Sequence, residues 1–191
     1  MTALLDVPGI RERLALISVE DYHRTTEGRR TELLRGIVIE KMSRSPLHRF
    51  VAHRLSKLIT AQLSSEFTVF QEGPITMADS EPEPDVAVVV GKEERYRTTH
   101  PTTAELVIEV AVSSLEIDRV KALIYAEAGV KEYWIVSMEK RQVEVYRRPG
   151  AQGYAERIIV EGASVLECAA LPGMRVDFAT IFSPPGFTLN A

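Results

Sequence analysis

A single carboxylate interrupts an otherwise apolar strand. In ELVIEVAV, residues 105–112, every position from Leu106 to Val112 except Glu109 is apolar. A run of that length is strand-sized, and its near-continuous hydrophobicity is that of a strand covered on both faces. The two-residue alternation of a strand places Leu106, Ile108, Val110 and Val112 on one face, with Val107, Glu109 and Ala111 on the other. A lone carboxylate there costs several kcal/mol unless it is paired, coordinated or protonated. A strand-end glutamate paired with an arginine would also satisfy this constraint. Residues 116–128 read as a helix closed by Gly129, and KEYWIVS, residues 131–137, reads as another strand. A helix between two strands implies a parallel crossover.

The rest of the chain extends this unit. SVEDYHRT reads as a short helix capped by Ser18, and TELLRGIVIEK as a hairpin turning at Arg35-Gly36. Ser45-Pro46 marks a helix start. Val51, Leu55, Leu58, Ile59 and Leu63 then recur at helical spacing, predicting a helix over 46–65. FTVFQ and PDVAVVV read as strands, and residues 75–78 as an edge strand. QVEVYRR and YAERIIVE form a hairpin around a five-residue loop at 149–153. LPGMRVDFATIF gives a turn, a short strand and a helical turn. The expectation is one α/β domain over 18–183, a mixed central sheet flanked by helices with additional β-hairpins. Residues 1–17 form a lead-in and 184–191 a tail.

Composition narrows the classes. No apolar run in the 191 residues can span a bilayer, and no secretory signal opens the chain, so the expected location is cytoplasmic. The sole cysteine, Cys168, excludes an intrachain disulfide and any multi-cysteine zinc site. The net charge of −4 is unevenly spread. Residues 1–60 carry eleven Lys and Arg against seven Asp and Glu, whereas the remainder carries twelve against twenty. A basic face on an acidic chain can bind phosphates locally, although a solvated helix surface would give the same counts.

Asp85 follows Pro84 and opens VAVVV, so it stands at the mouth of a second buried strand. Two such carboxylates make a hard-oxygen site suited to Mg²⁺ or Mn²⁺. Asp118, Lys121, Tyr125 and Ala128 share one stripe of the following helix, from which Lys121 can lean toward the carboxylates. The alternative for Lys121 is a snorkelling surface lysine.

TELLRGIVIEKMS, SPLH, EPDVAVV, ELVIEVAVSS, DRVKALIYAEAGVKEYWIVS, VEVYR and LPGMRVDFATIF, in that order and spacing, resemble the Uma family of putative restriction endonucleases, within the PD-(D/E)xK nuclease superfamily. The resemblance runs from about residue 18 to residue 182 and implies a restriction-endonuclease-like core. It puts Asp85 and Glu109 at the acidic metal-binding positions. Position 111 is Ala where the motif lysine would stand, and Lys121 from the next helix substitutes for it. Glu32 matches a further acidic position. His48 matches a histidine that either contacts phosphate or caps the helix, and Tyr125 is a third accessory candidate. Leu47, Arg49 and Ser137 depart from the family pattern. The implied activity is metal-dependent hydrolysis of DNA phosphodiesters, DNA ahead of RNA, by a homodimer. A catalytically inactive nuclease-fold module binding nucleic acid or a protein is the alternative, and metal-assisted hydrolysis of a small phosphoester a third.

Overall fold

The computed structural model describes residues 15–41, 43–162 and 164–183; residues 1–14 of the lead-in and the tail over 184–191 lie outside them. Helix α1 (Val19–Thr26) starts where Ser18 Oγ accepts the Asp21 N–H at 3.0 Å. Strands β1 (Thr31–Leu34) and β2 (Ile37–Glu40) form an antiparallel hairpin. Its turn residues, Arg35 and Gly36, have φ of 55° and 75°. Positive φ at both central residues is the turn that matches strand twist, and glycine adopts it without penalty. Helix α2 (Pro46–Thr60) is capped by Ser45, which accepts the His48 N–H at 3.2 Å.

Six strands make the central sheet: β3 (Phe67–Gln71), β4 (Val86–Val90), β5 (Leu106–Ala111), β6 (Glu132–Ser137), β7 (Gln142–Gly150) and β8 (Gly153–Glu161), paired in that order. Helix α3 (Leu115–Glu127) connects β5 to β6, the one parallel pair; the other pairings are antiparallel. The sheet is therefore mixed, with β4 beside β5 as the apolar runs predict. A separate ribbon of β9 (Val165–Glu167) and β10 (Arg175–Asp177) precedes the short α4 (Ala179–Phe182).

The helices cover opposite faces. Val51, Leu55 and Ile59 of α2 pack on Val86, Val88, Leu106 and Ile108, in a cluster that includes Trp134 and Phe178. On the other face Ala122 and Tyr125 of α3 pack over Ala87, Val107, Ala111 and Tyr133. Each of the larger side chains contributes about 1.5–3 kcal/mol by leaving water. Two buried glutamates staple the layers. Glu144 on β7 binds Arg119 of α3 and Arg157 of β8. Glu132 on β6 accepts the Trp134 indole at 2.8 Å and the Ala169 N–H at 2.7 Å.

Three local expectations need correction, and one strand adds to them. Residues 75–78 form no strand, because the Ile75, Thr76 and Met77 amides bond to Pro82, Pro101 and Ser80 carbonyls of surrounding loops. Helix α2 stops at Thr60 rather than 65: Gln62 N–H turns back to Ile59 and the Gln62 amide group bonds across to Arg175. The β7–β8 turn is Ala151-Gln152 alone, since Pro149 and Gly150 pair with Tyr154 and Gly153. Pro149 is tolerated because β6 ends opposite Arg147, leaving no neighbour there that needs its missing N–H. Strand β9 had no counterpart in the sequence reading.

Candidate active site

The site begins where β4 and β5 part. Their last ladder pair is Val86 opposite Ile108, and one step further stand Asp85 and Glu109. Both side chains are buried. Asp85 Oδ2 accepts the Val110 N–H at 2.7 Å, so the β5 backbone itself orients the carboxylate. Glu109 projects on the side of the sheet that α3 covers, along with its strand neighbours Val107 and Ala111.

Helix α3 turns a polar stripe inward. Asp118, Lys121, Ala122 and Tyr125 are buried, whereas Val120 and Leu123 are only partly so. Lys121 Nζ lies 3.0 Å from Glu109 Oε1 and 2.9 Å from Glu32 Oε2, with Asp118 Oδ1 at 4.0 Å. One turn on, Tyr125 donates its hydroxyl to the same Glu109 Oε1 at 3.0 Å. Glu32 arrives from β1, held by the Glu83 N–H at 2.9 Å and by Lys41, which also pairs with Glu83. Ser114 donates to Asp118 Oδ2 at 2.6 Å.

The opposite wall comes from the segment leading into α2. His48 Nε2 is 3.0 Å from Asp85 Oδ2, and Arg44 places one nitrogen 3.3 Å from Asp85 Oδ1 while pairing with Glu72. His48 Nδ1 is buried with no hydrogen-bond partner among the described residues. Between the walls lies a cleft of about 160 Å³, lined by Glu32, Asp85, Glu109, Asp118 and Lys121 on one side and Arg44, Ser45 and His48 on the other.

The charges are unequal. Burial pushes the Glu109 carboxyl up to about 8; Lys121 opposes this, and the neighbouring Asp85, Asp118 and Glu32 add to it. Burial likewise raises Asp118 to about 6, against the pull of Lys121 and Ser114. Asp85 and Glu32 go the other way. Burial would raise both, but His48, the Val110 N–H and Arg44 hold Asp85 below the usual carboxylate range, and Lys121, Lys41 and the Glu83 N–H do so for Glu32. Burial would strip Lys121 of its proton, yet Glu109, Glu32 and Asp118 together hold it well above the ordinary lysine range. The inner wall thus gathers three carboxyl groups around one ammonium, with Asp85 beside them, an arrangement that an added cation relieves.

Residues 19–179 match the Uma2 family, described as "Putative restriction endonuclease". The chain belongs to the Uma2 family. None of the curated proteins matches it. A solved structure with a similar fold is a "putative nuclease belonging to DUF820" from Anabaena variabilis, at 17% identity with a TM-score of 0.73. The match covers 87% of this chain and 98% of that one. The fold is thus shared with a structure of very different sequence.

In this Uma2 chain the structure brings Asp85, Glu109, Lys121, Glu32 and His48 around one cleft, with Tyr125 behind Glu109. Among the described residues, no group of three His, Cys, Asp or Glu side chains is disposed to hold an ion by itself. Sequence reasoning passed over Arg44, Lys41 and Glu83. Arg44 lies between two serines just ahead of a helix, which marks it as a loop residue, and nothing local says it meets Asp85. Among the described residues no helix is long and apolar enough to cross a membrane.

Proposed function

We propose that this Uma2 chain is a metal-dependent nuclease hydrolysing phosphodiester bonds of DNA, with Asp85, Glu109 and Lys121 as its catalytic residues. The observation that supports it most is the meeting of two strand-end carboxylates with a lysine from the following helix in one cleft. The donor set fits a hard divalent cation, Mg²⁺ or Mn²⁺. Asp85 and Glu109 would hold it, with water filling the remaining positions, as is usual for these ions at sites with one or two carboxylates. Both ion-pair and hydrogen-bond contacts of Glu109 fall on Oε1, which leaves Oε2 for the ion. A bound ion would neutralise charge on the phosphate and acidify a water.

The protein groups then have separate tasks. Lys121 stays protonated between Glu109 and Glu32, so it serves as a fixed cation for the charge that grows on the phosphate rather than as a base. Glu32 fixes the ammonium from the β1 side, and Tyr125 fixes the Glu109 rotamer. Arg44 and His48 hold Asp85 from the other wall. One such constellation per chain cuts one strand at a time, so cleavage of a duplex calls for a homodimer, which light scattering would register.

The same ion pairs favour one other reading. Lys121 satisfies Glu32 and Glu109 without help, which suits a non-catalytic nucleic-acid-binding module on this scaffold. Cleavage of supercoiled and single-stranded DNA with Mg²⁺, Mn²⁺ or EDTA separates the two. Metal-dependent nicking that is lost in both Glu109→Gln and Lys121→Ala supports the nuclease. Intact substrate with either metal supports the module.

A further inference from the structure

In a chain of net charge −4, residues 41–65 contain no Asp or Glu, while carrying Lys41, Arg44, Arg49, Arg54, Lys57, His48 and His53. The structure divides these residues. Lys41, Arg44 and His48 are consumed by the carboxylates of the cleft. Arg49, His53 and Lys57 are exposed on the outer face of α2, at successive intervals of four residues, and therefore form one stripe. No carboxylate pairs with Arg49 or Lys57 among the described residues, so their charge is available to a partner. The stripe starts one residue after His48, at the end of α2 that opens into the cleft. Phe50, beside Arg49, is 46% exposed, although the opposite face of the same helix offers burial to Val51 and Leu55.

We infer that the outer face of α2 is a track for a single nucleic-acid strand leaving the cleft, with phosphates on Arg49, His53 and Lys57 and an unpaired base stacked on Phe50. The inference rests on the nuclease reading and adds to it the path and form of the substrate. From Arg49 to Lys57 the helix rises about 12 Å, enough for several backbone phosphates. A row of cations without an aromatic would suit any polyanion. An exposed ring set among cations suits single strands in particular, because unpaired bases offer their faces for stacking while paired bases do not.

The test is fluorescence anisotropy with a labelled oligothymidine and a labelled hairpin duplex, titrated at several salt concentrations in Ca²⁺. The full-length parent is compared with Arg49→Ala/Lys57→Ala and with Phe50→Ala. All three positions are exposed, and unchanged thermal melts verify the fold. The double variant is expected to flatten the log K against log salt slope on oligothymidine by about 1.4, two phosphate contacts at about 0.7 each. Phe50→Ala is expected to weaken oligothymidine binding about tenfold with the slope unchanged, and to leave the duplex unaffected. If the parent binds and the double variant keeps the parental slope and affinity, the track is overturned and the nuclease reading stands. If Phe50→Ala weakens duplex and single strand equally, or neither, the single-strand assignment falls. A parent that binds neither oligonucleotide overturns the nuclease reading together with the track.

Discussion

Lys121 and Glu32 stand 89 residues apart in the chain and 2.9 Å apart in the fold. The ammonium that joins them also touches Glu109, so a single side chain ties the β1–β2 hairpin, helix α3 and the central strand β5 into one unit. Both carboxylates are buried, and so is the lysine. Removing the cation therefore leaves buried carboxylates with no charge to balance them.

Lys121→Ala should accordingly destabilise the metal-free protein by about 3–5 kcal/mol, the usual cost of leaving a buried charge without its partner. Mn²⁺ should recover part of that loss by replacing the missing positive charge. Thermal denaturation with and without Mn²⁺ reads both effects, and Trp134, fully buried against Phe178, supplies the fluorescence signal. Equal melting temperatures for parent and variant without metal would show that the ammonium carries no such role.

Glu109→Gln keeps the shape of the side chain and removes the carboxylate an ion would bind. Mn²⁺ affinity should fall at least tenfold while the fold persists, and the metal-free protein should be no less stable, because burial already holds the Glu109 carboxyl at about 8, largely protonated at neutral pH. Titration calorimetry decides the matter: affinity equal to that of the parent would remove Glu109 from the ligand set.

Glu144 predicts an acid limit for the fold. Burial works against its ionisation, but Arg119, Tyr146 and Arg157 outweigh burial and hold its carboxyl down to about 2. A folded-state value below the unfolded one contributes stability that is present above about 4.5 and lost as pH falls toward 2. Glu144→Gln should cost about 1.5–3 kcal/mol at neutral pH, the scale of hydrogen bonds to a charged group, since the two partly exposed arginines regain water. It should also flatten the loss of stability between those pH values. Urea denaturation at neutral and acid pH tests this, and parallel pH profiles for the two proteins would refute the assignment.

Gly36→Ala should loosen the hairpin that delivers Glu32. The position has φ of 75°, and a Cβ there would come within 2.9 Å of Leu16 Cβ and 3.3 Å of the Ile17 carbonyl. Strain and contact together should cost at least about 1 kcal/mol. Hydrogen exchange of the β1 amides should accelerate more than that of β5. Unchanged exchange at β1 would mean the turn tolerates a side chain.

Local chemistry made much of this protein readable in advance. Ser45-Pro46 fixed the start of α2, because a capping hydroxyl and a proline at the first helical position act within one turn. Arg35-Gly36 fixed the first hairpin for the same kind of reason. The unbroken apolar character of 86–90 and 106–112 required both faces to be covered, which settled the layered α/β class, and Glu109 stood out because nothing nearby could pay for its burial. What the sequence could not express was long-range pairing. The one-step extension of the β4–β5 register sets Asp85 against Glu109, the inward turn of α3 buries Asp118 and Lys121 together with Ile124 and Tyr125, and Arg44 reaches Asp85 across a loop. Each depends on how separate elements pack, and ion pairs between such elements leave no periodic trace in the chain because either partner would look the same on a solvated surface.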